Sequence, residues 1–414
     1  MRILHLIHRT WPYHGGAERY VIEHALAGKR WGHESVICAT DAWDMSWLVS
    51  RNGNHVKKKS DVWNGIEINR FPVLHPPFQN LLRAVLRRTA SCGPDRYFYP
   101  NPFLPSLHRW LSKDRGFDFI HANAMPFTLY EGWYHSRKTG GGLAVVPHTS
   151  AGEKFRRVSA LHYSSGCQKR IFLESNFVVA QSNFEKGLFT EIGVPSERIH
   201  FSGSGIEPEE FVRSNPAAAL ERLGVKTPIV LSLTAHCTDR GTNHIIEACR
   251  NLLKTGMKFT LVLAGPILED TEDYLSSGSD FMDEFGENLV ITGYIEKEKR
   301  IDLIAAADIV LLPSRLDCFG IVILEAWASG KPVIGCWTGG MPDMIEDGQN
   351  GFLVSWGDVA TLTNRIDLLL KNPHLRDSMG DRGRKMVFST RTWDAVTDRF
   401  YRRMAECSTE KSIN

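Results

Sequence analysis

The stretch from Ile309 to Leu353 constrains the fold of this 414-residue chain more than any other. Ile309–Leu312 is a short apolar run that predicts a buried strand, and Val333–Cys336 is a second one. Between them, Gly320–Ser329 has the composition of a helix, with Gly and Pro just after its end. Short apolar strands joined by a helix are typical of a parallel sheet covered on both faces. The stretch therefore predicts an α/β fold.

Two acids flank the start of that predicted helix, Asp317 in the preceding loop and Glu325 inside the helix. The first backbone amides of a helix have no partner within it, and the helix dipole favours an anion there. Here these amides belong to Phe319, Gly320 and Ile321, and the glycine lets a ligand approach the backbone closely. We expect a phosphate or diphosphate at this point, with an acid on each side suited to sugar hydroxyls.

Composition limits the remaining choices. The length suggests two domains, and the 43% hydrophobic and 23% charged residues are ordinary for a soluble globular protein. A net charge of +2 gives no reason to expect a nucleic-acid partner. The eight cysteines form no C-x-x-C pair or zinc-like spacing, so a reduced, cytoplasmic compartment is expected. The apolar N-terminal run is too short for a signal peptide, and no run is long enough to span a membrane.

The N-terminal region opens with a βαβ pattern. Ile3–Ile7 and Ser35–Ala39 are apolar runs that predict strands, and a helix begins near Ala17 between them. The preceding loop contains Gly15-Gly16 but no G-x-G-x-x-G motif. Further along, His148 directly follows a predicted strand, where loops of parallel sheets bind ligands. A lone histidine is usually structural, but this position favours a site.

The stretch resembles the signature of the retaining glycosyltransferases of family 4, which use nucleotide sugars and have the GT-B fold. The matching residues are Pro313, Ser314, Phe319, Gly320, Glu325, Ala326, Ala328, Gly330, Pro332, Val333, Ile334, Gly339, Gly340, Gly348 and Gly351. Asp317 stands where the family usually has Glu, and Ala235 where it has an Arg. Arg240 occupies the position of the family's Lys and keeps its charge.

The resemblance implies a GT-B architecture with two Rossmann-like parallel-sheet domains facing a central cleft. We expect an acceptor-binding domain over residues 1–206 and a nucleotide-sugar-binding domain over residues 207–390. Residues 391–414 would form a helix that crosses back to the first domain, followed by a polar tail. The implied reaction moves a sugar from a nucleotide diphosphate to a hydroxyl of a glycan or lipid-linked acceptor, in cell-surface polysaccharide or glycoconjugate synthesis.

The resemblance also implies roles for individual residues. Asp317, His148 and Arg240 are the expected catalytic residues, with Asp317 on the sugar hydroxyls and Glu325 on the ribose. The expected donor-binding residues are Gly15, Gly16, His236, Tyr294, Ile295, Phe319, Gly320, Ile321 and Glu325. His236 is a candidate to compensate for Ala235. Because the chain has no D-x-D motif, neither a metal nor another cofactor is expected.

Several alternatives stay open at this stage. A degenerate member that binds a nucleotide or glycan without turnover fits Ala235 and Asp317. A nucleotide-sugar epimerase or a phosphorylase on the same fold is less favoured, since no pyridoxal phosphate lysine motif is apparent. The basic amphipathic segment Leu81–Arg88 suits either a peripheral position on the inner membrane face or a solvated helix. The donor nucleotide and the acceptor are not identified.

Overall fold

The protein divides into two compact units. The computed structural model describes residues 1–13, 15–76, 78, 102–113, 115–149, 166–225, 228–276, 284–317 and 319–410, so the basic segment Leu81–Arg88 lies outside the described residues. The first unit comprises the chain up to Gly203 except for four residues after Thr149, together with the chain from Val396 onward. The second unit comprises those four residues and Ser204–Ala395.

The first unit contains an eight-stranded sheet with the order β3-β4-β2-β1-β5-β6-β7-β8. Its strands are β1 (Arg2–Ile7), β2 (Glu34–Thr40), β3 (Ser60–Trp63), β4 (Ile66–Phe71), β5 (Phe119–Asn123), β6 (Gly142–Val146), β7 (Phe177–Ala180) and β8 (Ile199–Phe201). All neighbours pair in parallel except β3 and β4. These two form a hairpin, whose turn residues Asn64 and Gly65 have φ of 49° and 76°.

Helices connect these strands. They are α1 (Gly16–Arg30), α2 (Met45–Val49), α3 (Pro105–Leu111), α4 (Leu129–Thr139), α5 (Gly166–Glu174) and α6 (Asn183–Ile192). Ser182 caps α6 as its sequence position predicts, because its hydroxyl accepts a hydrogen bond from the Glu185 amide.

The second unit contains a six-stranded, fully parallel sheet with the order β11-β10-β9-β12-β13-β14. Its strands are β9 (Ile229–Leu233), β10 (Thr260–Ala264), β11 (Leu289–Gly293), β12 (Ile309–Leu312), β13 (Val333–Cys336) and β14 (Gly351–Val354). Its helices are α7 (Pro208–Val212), α8 (Pro216–Leu223), α9 (Thr242–Lys254), α10 (Glu269–Ser276), α11 (Lys297–Ala306), α12 (Ile321–Ala328), α13 (Val359–Lys371), α14 (Pro373–Thr390) and α15 (Trp393–Glu410), the last continuing into the first unit.

The strands of the second sheet are mostly apolar because both of its faces are covered. Along β12, Val310 and Leu312 belong to one apolar cluster, whereas Ile309 and Leu311 belong to another. The first cluster includes residues of α11 and α12, and the second includes residues of α9 and α13. Alternate residues of one strand thus fill two separate core layers. Within the described residues, no helix is both long and apolar enough to cross a membrane.

One strand boundary differs from the sequence expectation. The segment Phe117–His121 predicts a strand that ends at His121, whereas the observed strand runs from Phe119 to Asn123, and Asn123 still pairs with Val146. His121 and Asn123 are fully buried. Their polar groups form hydrogen bonds inside the protein, His121 with the imidazole of His5 and Asn123 with His148. Satisfied polar side chains can continue a buried strand, which polarity along the sequence alone does not show.

Candidate active site

The second unit gathers most of the predicted site residues at the carboxyl edge of its sheet, where parallel strands bind ligands. Backbone hydrogen bonds tie the loops at this edge together. The amide of His236, after β9, donates to the Pro266 carbonyl, after β10 (2.8 Å). The amide of Arg315, after β12, donates to the Asp239 carbonyl (3.0 Å). The loops that carry His236, Arg240 and Asp317 therefore form one connected surface.

Asp317 and Arg240, which are 77 residues apart in the chain, are in direct contact. An Arg240 Nη1 donates to Asp317 Oδ2 at 2.7 Å and to the Leu316 carbonyl at 2.8 Å. The Arg240 side chain is 34% exposed and that of Asp317 is 15% exposed. The structure thus brings together two of the three residues predicted to be catalytic.

The other carboxylate oxygen of Asp317 holds the backbone at the start of α12. Asp317 Oδ1 accepts hydrogen bonds from the amides of Phe319 (3.2 Å) and Gly320 (2.9 Å). Gly320 has φ of 79° and precedes Ile321, the first helical residue. The amides expected to receive a phosphate therefore lie at the predicted place, and two of them donate to an internal carboxylate.

Glu325 is buried in α12, with 1% of its side chain exposed. Its Oε1 accepts a hydrogen bond from Arg300 Nη2 at 2.7 Å, whereas its Oε2 has no hydrogen-bond partner among the residues that the structure describes. The buried Nε of Arg300 also lacks a partner. A carboxylate oxygen without a partner is suited to accept a hydrogen bond from a ligand hydroxyl. Arg300 was not predicted as a site residue, because an arginine in a charged helix is usually solvated.

His236 is fully buried beside the start of α9. Its Nδ1 lies 3.3 Å from the Thr242 hydroxyl, and its Nε2 has no hydrogen-bond partner. Burial lowers the pKa of His236 to about 4. The ring is therefore neutral at pH 7, so it can offer a hydrogen bond to a ligand but does not replace the positive charge of an arginine at position 235.

Tyr294 and Ile295 follow β11 at the same edge of the sheet. The Tyr294 side chain is 74% exposed, and Ile295 packs partly against the core. The Gly293 carbonyl accepts a hydrogen bond from the Gly265 amide at 2.8 Å, which fixes the end of β11. An exposed ring at the end of this strand is suited to contact a nucleotide base.

In the first unit, Gly15 and Gly16 begin α1, and the loop around them is organised by the buried Glu18. Arg9 Nε donates to Glu18 Oε1 at 3.1 Å, and the imidazole of His8 lies 3.4 Å from the same oxygen. A Cβ at Gly15 would clash with the carboxylate of Glu18, so a larger residue at this position requires the Glu18 side chain to move. Burial raises the pKa of Glu18, and the charge of Arg9 opposes this shift.

His148 follows β6 in a strained backbone conformation, with φ of 53°. Its Nε2 donates to Asn123 Oδ1 at 3.1 Å, and its ring lies edge-on to Tyr20. Burial lowers the pKa of His148 to about 4, and a hydrogen bond with Gln181 opposes the shift. The imidazole is neutral at pH 7, so it can orient a hydroxyl but brings no positive charge. Asn123 and Gln181 are partners that the sequence analysis did not assign.

The arrangement fits a ligand that carries both phosphates and hydroxyls. The second unit provides a cation and helix amides for phosphate, and carboxylates for hydroxyls. Among the described residues, no group of three His, Cys, Asp or Glu side chains is placed to hold a metal ion.

Comparison with known proteins places the chain in a family. The model of Glycosyltransferase Family 4 matches residues 14–210, and the model of Glycosyl transferases group 1 matches residues 220–386. The chain belongs to glycosyltransferase family 4. The two models together cover both units, so the family resemblance of the sequence is confirmed.

Two curated relatives of this family 4 chain illustrate the likeness. An uncharacterized glycosyltransferase of Methanocaldococcus jannaschii is 24% identical over 348 residues, which are 80% of this chain and 83% of that protein. Alpha-D-kanosaminyltransferase of Streptomyces kanamyceticus is 28% identical over 194 residues, 45% of this chain. That alignment covers 49% of the kanosaminyltransferase, about half of its length.

A solved structure shows the fold. HepE of Anabaena in complex with UDP-glucose aligns over 98% of this chain and 100% of its own, with a TM-score of 0.72 and 19% identity. The expected α/β architecture, GT-B with two parallel-sheet domains, is confirmed.

Proposed function

We propose that this family 4 chain transfers a sugar, with retention of anomeric configuration, from a nucleoside diphosphate to an acceptor hydroxyl. One observation carries the proposal: Arg240, Asp317 and the first amides of α12 converge at the carboxyl edge of the second sheet. The UDP-glucose in the HepE complex supports a nucleotide-sugar donor.

The residues have distinct roles in this proposal. Arg240 and the amides of Phe319 and Gly320 stabilise the negative charge that develops on the leaving diphosphate, a role that preorganised donors can fill without a metal. Glu325 accepts hydrogen bonds from the ribose hydroxyls through its free Oε2. Asp317 contacts hydroxyls of the transferred sugar.

The acceptor is a hydroxyl of a glycan or of a lipid-linked saccharide, used in polysaccharide or glycoconjugate synthesis on the cytoplasmic side of a membrane. In a retaining front-face reaction, the bond from the anomeric carbon to the phosphate oxygen breaks as the acceptor oxygen bonds to the same face. The departing phosphate takes the acceptor proton. Transfer then yields the glycosylated acceptor and a nucleoside diphosphate.

Thermal unfolding with UDP, GDP, ADP and CMP, in Mg²⁺ and in EDTA, tests the donor site. A ligand at about 100 times its dissociation constant adds roughly 2.7 kcal/mol, enough to shift the midpoint clearly. We expect one nucleoside diphosphate to stabilise the protein equally in EDTA and in Mg²⁺, and its sugar conjugate to release that diphosphate in the presence of acceptor. Stabilisation only with Mg²⁺ would contradict metal independence, and no stabilisation by any nucleotide would contradict the donor site.

A second candidate, a nucleotide-binding protein without turnover, is favoured by Ala235. This residue is exposed and leaves the family's second cation position without charge. A nucleotide that binds, with no diphosphate released from any sugar conjugate in the presence of glycan or lipid-linked acceptors, would favour this candidate.

A further inference from the structure

Three of the groups predicted to hold a diphosphate, two helix amides and the guanidinium of Arg240, are engaged by one side chain. Asp317 Oδ1 accepts hydrogen bonds from the amides of Phe319 and Gly320, and Oδ2 accepts one from the guanidinium of Arg240. The Asp317 side chain is mostly buried in this arrangement, with 15% exposed. Its carboxylate thus lies where the donor groups of the predicted phosphate subsite converge.

A phosphate and this carboxylate cannot use the same donors at the same time. Each amide N–H directs one hydrogen bond, and charge-assisted bonds to an anion are the strongest of these contacts. A diphosphate must therefore displace the carboxylate before it can accept from the two amides and from the same N–H of Arg240. The free energy of the existing contacts is then subtracted from the free energy of diphosphate binding.

The length of the aspartate side chain favours this closed arrangement. Asp and Asn hydrogen-bond to amides two and three residues further on, and Asp317 does so with Phe319 and Gly320. A glutamate is one methylene longer and does not close this local turn in the same way. The arrangement is therefore tied to the presence of aspartate at position 317.

We propose that Asp317 acts as an internal anion that closes the diphosphate subsite until a nucleoside diphosphate sugar displaces it. This inference rests on the proposed function. When the diphosphate accepts hydrogen bonds from the amides and from Arg240 in place of Asp317, the carboxylate of Asp317 is released. It then contacts the hydroxyls of the sugar. Binding of the donor and exposure of the acid are thereby coupled, so that the free carboxylate is present only when a donor is bound.

Calorimetric titration of Asp317→Ala, Asp317→Asn and Asp317→Glu with UDP, GDP and ADP tests the inference. For the nucleotide that binds the wild type, we expect Asp317→Ala and Asp317→Glu to bind the diphosphate about tenfold more tightly, as for loss of one competing charge-assisted contact. Asp317→Asn should lie between them and the wild type, because its amide oxygen still accepts from the backbone but cannot pair with Arg240 as an anion. The corresponding nucleoside, which has no phosphate, should bind all four proteins equally.

Asp308→Asn is a matched control. Asp308 pairs with Arg376 at 3.2 Å in the same unit, before β12 and away from the carboxyl edge. This variant loses an Asp–Arg pair of the same type, and its affinity for the diphosphate should be that of the wild type. Circular dichroism shows whether each variant is folded. If one of the three variants at position 317 does not fold, the other two still test the inference.

The outcomes separate this inference from the proposed function. Unchanged or weaker diphosphate binding in Asp317→Ala and Asp317→Glu, with the wild type still active in transfer, overturns the inference alone. An equal gain for the nucleoside also overturns it, because the effect would not act through the phosphates. Absence of nucleotide binding in the wild type and all variants overturns both. Tighter diphosphate binding together with lost transfer in Asp317→Ala supports both.

Discussion

Ala235 is the residue at which this chain departs most from its family, and the structure leaves room to restore the missing charge. The side chain is exposed in the loop after β9, five residues before Arg240. We expect Ala235→Arg to tighten binding of the nucleoside diphosphate by roughly 10- to 150-fold, since a charge-assisted hydrogen bond contributes roughly 1.5–3 kcal/mol. Titration at two salt concentrations measures the gain. Ala235→Met, of similar length but uncharged, is the control, and equal affinities of the two variants would contradict the expectation.

The Glu325–Arg300 pair makes a second prediction at the scale of single residues. Arg300→Ala leaves a buried carboxylate without its charged partner, so we expect it to lower the free energy of unfolding by roughly 1.5–3 kcal/mol. Removing both side chains should cost less than the sum of the two single substitutions, because no unpaired charge remains. Urea unfolding of the wild type, both single variants and the double variant gives this coupling energy. Additive effects would show that the pair does not contribute.

Most of the residues that contact the site residues could not be predicted from the sequence. The types of residue at the site follow from the ordered motif around Asp317 and Glu325. The partner of each acid does not, because Arg240 and Arg300 lie 77 and 25 residues away and the pairing depends on how the loops fold. The engagement of the helix amides by Asp317 is likewise a feature of the folded loop.

At the scale of elements, apolar runs predicted β12 and β13 well because both strands are fully buried. Ile309–Leu312 and Val333–Cys336 have the predicted limits. The end of β5 was not predicted, since buried His121 and Asn123 resemble loop residues unless their partners are known. Hydrophobic pattern thus locates strands whose side chains all contact apolar neighbours, and it fails where the core contains paired polar groups.

Three glycines in the second unit have the same strained backbone conformation but differ in how closely other atoms pack against them. Gly241, Gly320 and Gly348 all have φ between 73° and 79°. A Cβ at Gly348 would contact nothing within 4 Å, at Gly320 it would lie 3.0 Å from the end of the Ile323 side chain, and at Gly241 it would lie 2.3 Å from the Pro313 carbonyl. The backbone of Gly241, after β9, thus packs directly against the backbone of Pro313, after β12.

We expect alanine substitution to destabilise the protein least at Gly348, more at Gly320 and most at Gly241. Gly348→Ala reports the strain of the left-handed conformation alone, roughly 1–2 kcal/mol. Gly320→Ala costs only slightly more, because the Ile323 methyl group that it meets can move aside. Gly241→Ala costs most, because it must displace the backbone carbonyl of Pro313. Urea unfolding measures all three, and an equal loss at Gly241 and Gly348 would show that the two loops are free to separate.

At the scale of the whole molecule, the two units differ in the chemistry of their cores. The core of the first unit contains an imidazole cluster in which His5 Nδ1 lies 2.9 Å from His121 Nδ1, so one of the two rings donates and the other accepts. The ring of Tyr20 lies 4.0 Å from that of His24, and Phe400 of α15 lies 4.9 Å from the same ring. His5, His24 and His121 are fully buried. Protonation of the His5–His121 pair would replace its hydrogen bond with two adjacent buried charges.

This cluster predicts that the molecule loses stability in mild acid. Burial lowers the pKa of His5 and of His24 to about 3 and that of His121 well below its ordinary value of 6.5. The folded state therefore binds fewer protons than the unfolded state below pH 6.5, and stability falls as the pH drops from 6.5 towards 3, by up to about 1.4 kcal/mol per pH unit for each group. Urea unfolding between pH 8 and pH 4 should show a plateau above pH 7 and a steep fall below 6.

The double variant His5→Leu/His121→Leu tests whether the cluster causes this fall. It removes two groups that take up protons only on unfolding, so the slope of unfolding free energy against pH between 6 and 4 should decrease by about two protons, or about 2.7 kcal/mol per pH unit. If the double variant keeps the slope of the wild type, the acid sensitivity arises elsewhere. If the slope decreases as expected, the histidines buried in the first unit determine the pH range in which the whole chain stays folded.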